Sequence, residues 1–183
     1  MLGNNVIRRL LAEGDSVVAT VRGFPDESVF AGLDVQQVQL ELAPDPGERA
    51  ESSTEPDQAD EANVRDERAG VDDAFDEVVA SCDAVVHSAA MIHLGWQKSA
   101  ESMRVNRDAT RRIAETCLRL GKKLIYIGTV NTLAVGSSNT HADETTPLDH
   151  AGGQIPCAYV VSKRAGVAEV QARVRRGLDA VII

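Results

Sequence analysis

Residues 99–129 read SAESMRVNRDATRRIAETCLRLGKKLIYIGT. This stretch predicts a long amphipathic helix over about 99–120, with Gly121 as its stop. A short apolar strand, Leu124–Gly128, follows and ends on the hydroxyl residue Thr129. The same alternation extends in both directions. Upstream, Val6, Leu10 and Leu11 share one face of a helix over 3–13 that stops at Gly14, and Ser16–Arg22 is a β-branched run read as a buried strand. A short helix near 27–33, a strand from Val35 to Leu42, a helix near 71–80 and the apolar strand Asp83–His87 come next. Downstream, a loop over 134–156 rich in Gly, Ser, Asp and Pro leads to a helix over about 157–176 and a last strand, Asp179–Ile183.

Short apolar strands alternating with amphipathic helices demand a parallel sheet with helices on both faces. Right-handed crossovers then give an α/β fold of the doubly wound, Rossmann type. The chain has 183 residues, the size of one domain with its own core, and no internal repeat is visible. Apolar residues make up 43%, which excludes whole-chain disorder. No apolar run reaches the ~18–20 residues of a membrane span, and the first residues do not form a secretory signal. Aromatics are only 3%, against a base-stacking nucleic-acid platform. The net charge of −9 is uneven: residues 41–78 hold 14 of the 28 acids and three of the 19 basic residues, so the rest of the chain is slightly positive. The acidity belongs to an insert at about 43–70, without periodicity and read as a flexible loop, and no basic patch suggests nucleic acid or membrane as a partner. Cys82, Cys117 and Cys157 lie far apart without metal-ligand spacing, as reduced thiols of a cytoplasmic protein do.

The sharpest chemical signal is Tyr159-Val160-Val161-Ser162-Lys163. Tyr and Lys at i and i+4 share one face of a helix, about 6 Å apart. A free tyrosine titrates near 10, so about 0.1% is ionised at neutral pH, and a nearby ammonium favours the phenolate. Such a pair can exchange a proton with a carbonyl or alcohol oxygen; a half-buried Tyr beside a surface Lys is the plainer alternative. Thr129 stands at the carboxyl edge of the sheet, where ligands bind in this fold class. It can donate a hydrogen bond to a substrate oxygen or cap the following turn.

With these residues in view, the chain resembles the extended short-chain dehydrogenase/reductase family, in the branch of NAD-dependent epimerase/dehydratase and dihydroflavonol-reductase-like enzymes. Asp83-Ala84-Val85-Val86-His87-Ser88-Ala89-Ala90 is similar to the family's fourth strand and its small-residue turn against the cofactor. Asn106 matches the family's helix asparagine, Asp143-Glu144-Thr145 its acidic stretch, and Tyr159 and Lys163 its proton donor and lysine. The resemblance implies an NAD(P)-dependent oxidoreductase acting on a ketone or secondary alcohol. Tyr159 would supply the proton, Thr129 hold the carbonyl oxygen and Lys163 bind the nicotinamide ribose. Asn106 would help order a water in a proton relay, or else close a helix contact. Gly3 would be the last glycine of the phosphate-binding turn, and Ser88, Ala89 and Ala90 would lie against the cofactor. Arg22, with no acid at that strand tip, suits a 2′-phosphate, so NADP is preferred over NAD; an exposed arginine is the alternative. Glu41 lies where the family often has an acid near the adenine. His93 and Trp96, in the loop Met91–Gln97, can wall a pocket for an apolar ketone or simply pack.

Three departures shape the expectation. The first strand with its first glycines and the C-terminal substrate region are expected to be missing. Losing roughly five buried strand side chains would remove about 10 kcal/mol, against a domain's net ~5–15 kcal/mol. The acidic insert is longer than the family's usual link, and serves as a solvated loop or a protein-docking tail. The family's glutamate stands nearer its lysine than Glu169 does to Lys163. Sugar-nucleotide epimerase or dehydratase activity is the enzymatic alternative. A non-catalytic Rossmann fragment, nucleotide sensor or protein-binding module is the other. Family members often dimerise through the helices matching about 99–120 and 157–176, so the resemblance allows a homodimer through them without fixing the oligomeric state.

Overall fold

The computed structural model describes residues 2–23, 28–43, 74–133, 141, 143, 145 and 157–183. The acidic insert, from residue 44 onward, and nearly all of the loop 134–156 lie outside them. The described residues divide into two compact units, Met1–Cys82 and Asp83–Ile183.

In the first unit, helix α1 (Leu2–Glu13) precedes a parallel pair, β1 (Val18–Val21) and β2 (Gln36–Gln39). Their register runs from Val18 opposite Gln36 to Val21 opposite Gln39. Val6, Ile7, Leu10 and Leu11 of α1 are half-buried, as the helical spacing of the first, third and fourth predicts. Helix α2 spans 74–80 and buries Phe75 and Val79, one turn apart on one face. Residues 28–32 form turns rather than the helix expected near 27–33. Leu33 N donates to Phe30 O at 2.9 Å, a three-residue closure where a helix would bond four residues back.

The second unit is built on β3 (Ala84–His87), β4 (Lys123–Tyr126) and β5 (Ala180–Ile182), in the order β3-β4-β5. All are parallel, with Ala84 opposite Lys123 and Leu124 opposite Ala180. Parallel strands need crossovers, and helices supply them. The helix expected over 99–120 comprises α3 (Ser99–Met103), one π-type turn (Arg104–Asp108) and α4 (Ala109–Leu120). It ends where expected, because Gly121 takes φ +64°, and Gly121 N and Lys122 N donate to Leu118 O and Cys117 O at 3.4 and 2.8 Å. Helix α5 (Ala158–Val174) leads into β5. Ile113, Ala114 and Cys117 of α4, Leu124 and Tyr126 of β4, Val160, Val167 and Val170 of α5, and Leu178 form the core. Outside it, ion pairs join α4 to α5 and to the turn after it: Arg111 to Glu169 at 2.8 Å, Arg173 to Glu115 at 2.9 Å and Arg176 to Glu115 at 2.6 Å, while Arg173 also pairs with Glu169 along α5. All three cysteines are free thiols. Among the described residues, no helix is long and apolar enough to cross a membrane.

Candidate active site

The carboxyl ends of β3 and β4 collect the chemistry of the second unit. His87 closes β3 and is buried. Beyond it Ser88, Ala89 and Ala90 are exposed and small, so backbone there is open to a ligand. Beyond β4, Thr129 adopts extended backbone (φ −160°, ψ 141°) and caps a short 3-10 turn, Val130–Thr132. Its hydroxyl accepts from Asn131 N at 3.4 Å, while Thr132 Oγ1 donates to Thr129 O at 2.7 Å. Accepting in this cap leaves the hydroxyl hydrogen of Thr129 to be donated.

Tyr159 and Lys163 stand one turn apart on α5. The backbone N–H groups at its start have no intrahelical partner. Ala158 N therefore donates to Gly95 O at 3.3 Å, and Tyr159 N to His93 O at 3.1 Å. The loop after β3 is thereby tied to the turn of α5 that carries Tyr159. Tyr159 is half-buried. Lys163 is 2% exposed, and burial pushes its ammonium down to about 8. Its Nζ donates to Ile127 O at 2.7 Å, which brings the lysine of α5 to the end of β4, two residues before Thr129. Among the described residues that carbonyl is its one hydrogen-bond acceptor. Among the described residues the other two ammonium hydrogens have no acceptor, and a pair of vicinal hydroxyls such as a ribose presents would fit them.

Asn106 lies in the π-type turn and is 1% exposed. Its Oδ1 accepts from Met91 N and its Nδ2 donates to Met91 O, both at 2.8 Å. The same Nδ2 donates to Ser162 Oγ at 2.9 Å, and Ser162 Oγ donates to Tyr159 O at 3.0 Å. Asn106 is thus a clasp between the loop after β3 and α5, and among the described residues one lone pair of its Oδ1 is left over. A π-type turn inside a helix is often a functional feature, and here it brings the carboxamide to the loop.

Sequence reasoning missed the polar layer beneath. His87 Nε2 lies 2.9 Å from Thr110 Oγ1, and Thr110 Oγ1 donates to Asn106 O at 2.8 Å. With the single hydroxyl hydrogen spent on Asn106, His87 must be the donor, which assigns the hydrogen to Nε2. Burial and then the charge of Lys163 press His87 down to about 3. The unfolded imidazole titrates near ~6.5, so between those values the unfolded chain binds the extra proton. Stability is therefore full above pH ~6.5 and falls as pH drops towards 3. Urea unfolding should show a loss of about 2 kcal/mol between pH 7.5 and 5 from this group. His87→Gln, which keeps an N–H donor, should remove that part of the slope; an unchanged slope would refute the assignment.

Of the cofactor residues expected in the first unit, Gly3 lies in the first turn of α1, and Arg22 is exposed just past β1. Glu41 is exposed, and its Oε1 accepts from Ala43 N at 3.0 Å. Asp143 Oδ1 accepts from Thr145 N at 2.9 Å, and Glu144 lies outside the described residues. Near the second unit's site, His93 is half-buried and Trp96 is 55% exposed.

The model of the NAD dependent epimerase/dehydratase family matches residues 1–183. Among solved structures, gox2253 is 24% identical with a TM-score of 0.74, covering 100% of this chain and 47% of that one. The UDP-Glc/GlcNAc 4-epimerase from Campylobacter jejuni is 20% identical with a TM-score of 0.70, covering 100% and 49%. The Bordetella bronchiseptica enzyme WbmG, solved in complex with NAD and UDP, is 18% identical with a TM-score of 0.62, covering 100% and 48%. At these identities the likeness is one of fold, and that fold is Rossmann-like, as the strand and helix alternation predicts. The chain spans about half the length of these solved chains. No curated protein matches it in sequence.

Proposed function

We propose, from the premise that this chain belongs to the NAD-dependent epimerase/dehydratase family of extended short-chain dehydrogenases/reductases, that it is the nucleotide-binding and proton-transfer part of an oxidoreductase interconverting a secondary alcohol and a ketone. The observation that carries this reading is the buried Lys163, with two ammonium hydrogens to spare among the described residues, one turn from Tyr159 and hydrogen-bonded to the strand end that leads to Thr129. A nicotinamide cofactor, when bound, supplies or takes the hydride. Lys163 holds the ribose hydroxyls. Tyr159 gives its phenolic proton to the oxygen as the carbonyl is reduced, and takes one back in the reverse direction. Thr129 donates its hydroxyl hydrogen to the same oxygen and orients it. Asn106 keeps the loop after β3 against α5, and its remaining lone pair suits a relay water. Ser88, Ala89 and Ala90 let the cofactor approach the end of β3.

Residues 1–183 would act as one cofactor-binding domain, with Gly3 at the pyrophosphate, Glu41 towards the adenine and Arg22 on a 2′-phosphate. The guanidinium of Arg22 favours NADPH over NADH. Fluorescence titration of the chain with each nucleotide tests this. NADPH should bind several-fold tighter, and Arg22→Ala should equalise the two. Tighter binding of NADH would overturn the preference and leave the lysine site standing.

The family's own description, and the UDP and NAD bound together in WbmG, favour a second reading: transient oxidation of a sugar nucleotide. Net consumption of reduced nucleotide separates the two, since an epimerase returns the hydride to its product.

A further inference from the structure

A lysine carries its charge on a flexible four-carbon stem, and such a side chain serves a fixed site only when something restrains it. In the second unit the restraint is visible. Lys163 Nζ sits 4.2 Å from the centroid of the Tyr126 ring while donating to Ile127 O at 2.7 Å. Tyr126, the last residue of β4, is 0% exposed, so its ring is a desolvated wall. Among the described residues no carboxylate forms an ion pair with Lys163. The negative face of an aromatic ring therefore takes the place that an acid would fill. The ring is itself held: His87 lies tilted against it, at 45° with centroids 5.5 Å apart. His87 in turn is tied to Thr110 and through it to the π-type turn. On its other side the ring meets the imidazole of His87, and Tyr159 stands one turn before Lys163 on α5.

We propose that Tyr126 is a positioning residue for Lys163: its ring face, with the Ile127 carbonyl, fixes the ammonium at the end of β4 and so sets how tightly the lysine holds a cofactor ribose. The ring is the working part and the hydroxyl is not. The proposal rests on the reading of Lys163 as the ribose ligand, and the experiment below separates the two.

The chain has four lysines, Lys98, Lys122, Lys123 and Lys163, so a carbon-proton correlation spectrum of lysine-labelled protein resolves them, with Lys163 identified by its loss in Lys163→Met. A group over a ring face is shielded, so the ε-methylene of Lys163 should lie upfield of the other three. Tyr126→Phe should keep that shift and most of the NADH affinity. Tyr126→Leu should return the resonance to its ordinary position and weaken NADH binding about tenfold. An ordinary resonance in the unaltered chain overturns the proposal by itself, whether or not any variant folds. A folded Tyr126→Leu that binds NADH as the parent does also overturns it, as does Tyr126→Phe losing as much as Tyr126→Leu. If Lys163→Met binds NADH unchanged, the ribose reading fails, and the ε-methylene still decides whether the ring seats the ammonium.

Discussion

Tyr159→Phe is expected to lower turnover about 10²- to 10⁴-fold while leaving NAD(P)H binding close to that of the parent. The substitution removes one oxygen and keeps the ring. Helix α5 should be undisturbed, because its start is held through the backbone of Ala158 and Tyr159 rather than through the phenol. Lys163 keeps both of its described contacts, to Ile127 O and to the Tyr126 ring. On the proposed mechanism what disappears is the proton donor, an interaction made with the reacting oxygen, so the loss should fall on kcat more than on nucleotide affinity. The measurement is nucleotide oxidation with a ketone panel and epimer analysis with UDP-hexoses, beside a fluorescence titration. Undiminished turnover in the variant would remove Tyr159 from the mechanism in both readings.

Gly166→Ala is the second large effect, and it is expected against the usual sign. In an ordinary helix interior, replacing Gly by Ala stabilises by about 1 kcal/mol. Here a Cβ on residue 166 would stand 2.5 Å from Asn106 O and 2.6 Å from the Tyr126 hydroxyl, with Thr110 Oγ1 at 3.5 Å. The closest of these is backbone, held in the π-type turn, so α5 would have to back away from that turn and from the end of β4. We expect a loss of about 3 kcal/mol or more, because a well-packed site cannot absorb a methyl group without moving its walls. The same shift would lengthen the Ser162–Asn106 and Lys163–Ile127 hydrogen bonds, so nucleotide affinity should fall along with stability. Urea unfolding checks the first effect and titration the second. A variant as stable as the parent would mean that α5 does not approach the turn this closely.

The position of Gly166 carried a signal in the sequence, since a glycine inside a helical pattern marks a close approach more often than a random choice. Nothing local says which atoms approach, because Asn106 and Tyr126 are distant in the chain. Asn106 was legible as a candidate site residue through the family resemblance. Its engagement with Met91 and Ser162 was not, because those partners lie 15 and 56 residues away. His87 stood in plain view at a strand end, and its partner Thr110 only meets it once β3 and α4 pack. The short helix expected near 27–33 failed for the opposite reason. There the local pattern was weak, and a three-residue closure at Phe30 and Leu33 won.

From the sequence alone came the parallel strand and helix alternation, the stop at Gly121, the placing of Tyr159 and Lys163 on one helix face, and Thr129 at a strand end. Each depends on neighbours within a turn or a strand, where periodicity and backbone geometry decide. Tertiary structure alone determined that Lys163 is buried, that its ammonium lies over Tyr126 and on Ile127 O, that Asn106 clasps Met91 and Ser162, and that His87 stays neutral. These follow from which side chains meet after the chain has crossed from β4 to α5, and from how much water that meeting removes. A lysine in the sequence has the same spelling on a solvated face as in a desolvated seat; packing, by excluding water and supplying a ring in its place, makes the difference.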